Sequence, residues 1–161
     1  MGPLIRALTY STLFIGFLLV FLPARVLEWS GVMPPAERGP VQIAGIIVGL
    51  LGAALAIWCI LTFSLVGRGT PAPFDPPRRL VVGGPYRRIR NPMYAGAGLA
   101  LAGAALYYKS LALVAYLAAF LLATHLMVLL YEEPTLRRLF GTEYDEYCAR
   151  VGRWWPRRNS A

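Results

Sequence analysis

Histidine occurs once in these 161 residues, cysteine twice and acidic side chains eight times. Each scarcity removes a class of function. Zinc needs three or four nitrogen, sulfur or oxygen ligands close together, and His125 with two distant cysteines does not provide them. A disulfide is not expected, because Cys59 lies in an apolar run and Cys148 in a polar tail. Charged residues make up 15% of the chain, where a soluble domain carries about 25%. The net charge of +8 comes without a basic helix or a basic–aromatic array, so nucleic acid is not an expected partner. What remains is apolar, 57% of the chain. Much of such a surface must face hydrocarbon, and the length suits one domain over residues 1–161.

Four apolar stretches carry that excess: Leu4 to Leu27, Val41 to Val66, Pro92 to Tyr108 and Leu111 to Tyr131. A span takes roughly 20 apolar residues, with about 17 as the floor, so all four qualify and the third only just. The first has too long an apolar core, and too poor a cleavage site, for a signal peptide. The expected fold is therefore all-α, an integral membrane bundle of four transmembrane helices with a cytoplasmic or interfacial C-terminal helix. Arginine bias gives the orientation. The stretch 67–91 holds Arg68, Arg78, Arg79, Arg87, Arg88 and Arg90 against Asp75 alone, whereas the first loop is near neutral. Both termini and the 67–91 loop should lie inside, with Trp29, Tyr107 and Tyr108 in an outer aromatic belt.

Lys109 and Ser110 leave room only for a tight turn, so the last two spans form an antiparallel hairpin. The second span carries Gly45, Gly49 and Gly52, a GxxxG pair and its extension, and the third span is built almost wholly of glycine and alanine. Small residues let helices approach closely where lipid offers no hydrophobic drive, which is the reading preferred for most of them. Space for a cofactor beside the third span is the other use. Beyond Tyr131, the residues Leu136, Phe140, Tyr144, Tyr147 and Val151 recur at three and four, the stripe of one amphipathic helix over about 133–151. Pro134 starts that helix or kinks it away from the span. Trp154 and Trp155 near its end favour an interfacial position. The run Gly67 to Pro73 has the composition of a shaped cover over a site.

Two clusters can do chemistry. Asn91-Pro92 has the form of a helix N-cap followed by proline at the first helical position, with Arg90 beside it and Tyr94 on the same face. Glu132 and Glu133 stand where the fourth span should end, and acids at a helix C-terminus oppose the dipole unless something pairs with them. The hairpin brings both ends to one side of the membrane, so Arg90, Asn91 and Tyr94 can meet Glu132 and Glu133. Together these groups could hold a zwitterion such as an amino-acid moiety. His125 lies two turns before Glu132 on the same face, with a packing hydrogen bond as its plainer role.

The pattern Gly84-Pro85-Tyr86-Arg87-x-x-Arg90-Asn91-Pro92-x-Tyr94-x-Gly96, followed by Glu132-Glu133-x-x-Leu136-x-x-x-Phe140-Gly141-x-x-Tyr144-x-x-Tyr147-x-x-x-Val151-x-Arg153-Trp154-x-Pro156, resembles the isoprenylcysteine carboxyl methyltransferase and phospholipid methyltransferase superfamily. The likeness covers roughly the C-terminal half. It implies a transfer from S-adenosylmethionine to a lipophilic or lipid acceptor at the cytoplasmic membrane face, with no metal. It places Tyr86, Arg90, Asn91, Pro92, Tyr94, Glu132 and Glu133 at the cofactor, with His125 as a lesser neighbour. Arg153 would orient an anionic acceptor, and Glu133 shares the catalytic assignment. Many members have histidine where Asn91 stands, and asparagine keeps hydrogen bonding without titration. The prenylcysteine enzymes also carry an arginine shortly before the acidic pair, where this chain has Val128 to Tyr131. The alternatives are a phospholipid-amine N-methyltransferase, a nicotinamide-dependent reductase of the sterol reductase type, and a non-enzymatic membrane packing or transport protein. The reductases follow a related arginine-proline-tyrosine element with glycine and an acid, whereas Gly96 here precedes Ala97.

Overall fold

Proline occupies the first or second position of four of the helices: α1 (Leu22–Trp29), α2 (Pro40–Thr62), α3 (Pro92–Tyr108) and, after α4 (Leu111–Met127), α5 (Glu133–Phe140). The first turn of a helix has no acceptor for its N–H groups, so proline loses nothing there and its fixed φ starts the turn. A last helix, α6 (Thr142–Arg150), completes the set. The computed structural model describes residues 16–67 and 78–157. The start of the expected first span, the glycine- and proline-rich run expected as a cover, and Arg158 lie outside the described residues. Among the described residues there is no strand, only one isolated parallel bridge between Ile89 and Gly152.

Helix α2 runs on through a π-helical turn, Phe63–Gly67, making a continuous helix of 28 residues; α4 continues through Val128–Glu132 into α5, making one of 30. Both are long and apolar enough to cross a bilayer. They expose Ile47, Leu50, Leu51, Ile57, Leu122 and Leu130, the pattern of helices surrounded by hydrocarbon. Of the other two expected spans, α3 has only 17 residues. The first is described only from Gly16, as a π-helical stretch Gly16–Phe21 leading into α1.

The most extensive packing joins α2 to α3. A Cβ placed on Gly52 would stand 2.5 Å from the Ala100 nitrogen and 2.6 Å from the Gly96 oxygen. One on Gly45 would stand 2.7 Å from the Gly103 oxygen. The backbones are thus in direct contact, which only glycine allows, and dispersion across the seam holds the pair. The α3–α4 turn is equally economical. Lys109 takes the left-handed conformation at φ 50°, and the Ser110 hydroxyl caps α4 by accepting from the Leu113 nitrogen at 3.2 Å.

Two expected boundaries are corrected. The last long helix does not stop at Tyr131 but continues to Phe140. Proline in a regular helix clashes with the carbonyl four residues back, and the π-helical turn just before Pro134 widens the helix where that clash would fall. The expected single helix 133–151 is divided at Gly141, which adopts φ 51° and ψ −126°, a conformation closed to most side chains. The apolar stripe survives the break. Tyr144, Tyr147 and Val151 form a buried cluster with Leu136 and Phe140 against it.

The seam makes a sharp test. Gly49 differs from its neighbours, since a Cβ there meets nothing closer than 3.9 Å. Gly49→Ala should hold or slightly raise the thermal midpoint in detergent. Gly52→Ala should lower it by several degrees, from about 1–3 kcal/mol of overpacking. Equal behaviour of the two variants would contradict the packing described.

Candidate active site

The C-terminal segment is drawn back under the bundle by backbone bonds first. Arg90 N donates to Gly152 O at 2.9 Å, beside the Ile89–Gly152 bridge. A Cβ on Gly152 would collide with the Trp155 carbonyl, so the tail turns this tightly only with glycine. Side chains then fasten it. Asn91 stands at the N-cap position of α3 but makes no capping bond; its Nδ2 donates to Arg153 O at 3.2 Å. The expected cap is therefore replaced by a tie across 62 residues, for which the amide donor is what matters. The Tyr147 hydroxyl donates to Tyr86 O at 2.7 Å. Burial pushes the Tyr147 phenol well up, so it remains a donor throughout the physiological range.

Glu133 is the centre of charge. Arg153 approaches it with two parallel bonds, Nε to Oε1 at 2.6 Å and Nη2 to Oε2 at 2.8 Å. Arg90 adds a third contact from Nη1 at 3.2 Å. The Arg90 and Glu133 side chains are each only about a tenth exposed, 11% and 10%. Arg90 Nη1 also meets the Tyr144 hydroxyl and the Cys148 sulfur, while its Nε is buried without a hydrogen-bond partner. One turn deeper, the Tyr94 hydroxyl donates to Glu132 Oε1. The start of α3 and the end of the π-helical turn thus meet on one side, as the hairpin implied. Neither acid stands at a helix C-terminus, since the helix continues past both.

A cavity of about 1170 Å³ opens beside this cluster, between α2, α3, α4 and the tail. Pockets for small ligands usually hold about 300–1,000 Å³, so a nucleoside and part of a chain would fit. Its wall is chiefly apolar, with Leu99, Leu117 and Leu121 among the lining residues. Of the residues singled out in the sequence, Pro92 and His125 line it. Tyr86, Arg90, Asn91, Tyr94, Glu132, Glu133 and Arg153 do not; they form the polar bonds behind its wall. Arg153, expected to orient an acceptor, spends its fork on Glu133.

Several participants were not legible as such. Trp58, Arg88 and Trp154 line the cavity, and Trp154 Nε1 donates to His125 Nδ1 at 3.0 Å. Tyr144 and Cys148 meet Arg90, and their spacing of four on one helix was the available signal.

Arg153→Gln tests the charge centre. Removing one partner of a buried pair costs about 3–5 kcal/mol, and the lower figure is expected because Arg90 remains. The measurement is thermal unfolding in detergent with proteolysis of the tail beyond residue 150. Adding Glu133→Gln should deepen the loss, since the buried Arg90 is then left without its carboxylate.

No curated protein and no solved structure matches the chain. The profile of the phospholipid methyltransferase family matches residues 41–143. That is more than half of the chain, and it includes Arg90, Tyr94, Glu132 and Glu133. The chain therefore belongs to the phospholipid methyltransferase family, within a superfamily of membrane methyltransferases.

Proposed function

We infer that the protein is an S-adenosylmethionine-dependent methyltransferase that modifies a lipophilic acceptor at the cytoplasmic face of the membrane. One observation carries the inference: Arg90, Tyr94, Glu132 and Glu133 of the matched family region gather into one polar cluster beside a large apolar cavity. A polar cofactor and an apolar acceptor need such a boundary.

The polar side fits the amino-acid end of S-adenosylmethionine. Arg90 supplies the cation of that side, held in place by Glu133, for the attraction of a carboxylate. Glu133 is neutralised by two arginines, so its part is to hold Arg90 and Arg153 in place. Glu132 has a tyrosine hydroxyl for a partner, and among the described residues no cation, which leaves its charge for an ammonium group. Asn91 and Tyr86 act by fastening the tail and the loop. Pro92 and His125 face the cavity, where the cofactor's apolar part and the acceptor would lie.

When bound, S-adenosylmethionine supplies a methyl group already activated on a sulfonium. The chain then has to align the acceptor and exclude water. Among the described residues no carboxylate lines the cavity, and the imidazole on its wall, His125, has Nδ1 engaged by Trp154, so an amine acceptor would find no free base there to take its proton. That favours an acid group on a long apolar chain, as in isoprenylcysteine carboxyl methylation. The family description supports the second reading, a phospholipid amine. Family membership removes the ground for the reductase and packing readings.

Incubation of detergent-purified protein with methyl-labelled S-adenosylmethionine and a total lipid extract should transfer label to the organic phase. Glu132→Gln and Tyr94→Phe should each weaken cofactor binding about 10- to 100-fold, the range for a hydrogen bond to a charged group of about 1.5–3 kcal/mol. Unchanged binding in both variants would refute the assignment of the polar side.

A further inference from the structure

Two ionisable side chains, His125 and Arg88, stand on the otherwise apolar and tryptophan-rich cavity wall. His125 is the only histidine in the chain. Its ring is not free to choose a tautomer. An indole nitrogen can only donate, so the 3.0 Å bond from Trp154 Nε1 makes His125 Nδ1 the acceptor. Nδ1 then carries the lone pair, and the neutral ring holds its hydrogen on Nε2. Nε2 makes no hydrogen bond among the described residues and is not among the buried unpartnered atoms. Arg88 is tied to the same tail: its neighbour Ile89 pairs with Gly152, two residues before Trp154.

We propose that His125 Nε2–H binds the oxyanion of the lipid acceptor, a carboxylate or a phosphate, with Arg88 supplying positive charge from the same cavity wall, and that Trp154 is the positioning residue that keeps the hydrogen on Nε2. His125 is thus a donor that orients the acceptor. The word acceptor rests on the methyltransferase reading; the tautomer and the oxyanion site do not. An apolar wall with one N–H and one guanidinium selects a single negative group on a long chain. A bare anion would leave the apolar wall wet.

A sole histidine makes the test direct. In ¹⁵N-histidine-labelled full chain in detergent micelles, the two imidazole nitrogens give one pair of signals. The expected result is a protonated Nε2 and an unprotonated Nδ1, with that preference lost in Trp154→Phe. An S-farnesyl thioether acid should move the Nε2 signal while its methyl ester does not, which identifies a carboxylate. A short-chain phosphatidylethanolamine that moves it, where the matching diacylglycerol does not, identifies a phosphate. A hydrogen on Nδ1, or an Nε2 signal unmoved by every probe, overturns the proposal. In turnover, His125→Leu should raise the acceptor KM about tenfold, the worth of one hydrogen bond to an anion, and leave the cofactor KM unchanged. His125→Gln, which keeps a donor near the Nε2 position, should restore most of it and guards against a misfolded leucine variant. An Nε2 signal that moves in a protein transferring no methyl group would refute the proposed function and leave this site standing.

Discussion

One buried carboxylate organises the end of the bundle where α3 begins and the tail returns. Glu133 lies where the long α4–α5 helix leaves the apolar bundle, and an acid there is costly unless it is paired and fully bonded. Arg153 and Arg90 meet that demand, and they come from the tail and from the turn before α3. Satisfying a single charge therefore joins three separate pieces of chain. The surrounding bonds follow from that junction. Once Arg90 is drawn to Glu133, its backbone is in register to pair with Gly152, and Asn91 lies within reach of the Arg153 carbonyl. The charge pair adds little net stability against an apolar alternative of equal size. Its contribution is position, since no other arrangement leaves the acid compensated.

The small residues of α3 solve a different problem on two faces at once. Gly96, Ala100 and Gly103 lie against α2 with backbone contacts that any Cβ on Gly96 or Gly103 would prevent. Ala95, Gly98 and Ala102 lie on the cavity side. Tyr94, Ala97 and Leu101 fill the core with Phe120 and Val128. A helix of 17 residues is thus divided among a seam, a cavity and a core. Packing and space, set side by side as uses for these glycines and alanines, are both present. At Gly98 the two demands coincide, since a Cβ there would stand 3.1 Å from Leu121 Cδ2 of α4.

What could be read from the sequence was what depends on spacing along one helix. The run Val41 to Val66, the tight Lys109–Ser110 turn and the meeting of Tyr94 with Glu132 follow from periodicity and from a hairpin that puts two ends on one side. The tyrosine stripe was legible even across the break at Gly141, because both helices pack on the same cluster. What stayed hidden depends on partners far away in sequence. Asn91 followed by Pro92 has every local mark of a cap, and the competing acceptor, a carbonyl 62 residues on, has none. Pro134 after two acids looked like a helix end because regular geometry rejects it; a π-helical turn removes the objection and has no sequence mark of its own. Arg153 was legible as a functional cation, but its partner depended on where the tail folds.

That fold places the tail on a boundary. Beyond Arg150 the chain is no longer helical, and Gly152 pairs with Ile89 as a one-bond ribbon. Past that bridge the chain bends through residues 153–155 and sends successive side chains in different directions. Arg153 turns to Glu133 among the charges, and Trp154 turns to His125 at the cavity. Two adjacent residues thus bond with the polar cluster on one side and the apolar chamber on the other. Methyl transfer from a charged donor to a lipid demands a wall of this kind, thin enough for the reacting atoms to meet beside it and dry on the lipid side. A short non-helical strap is the least structure that can provide it. A helix in its place would be about 10 Å across and would fill the space where donor and acceptor have to meet.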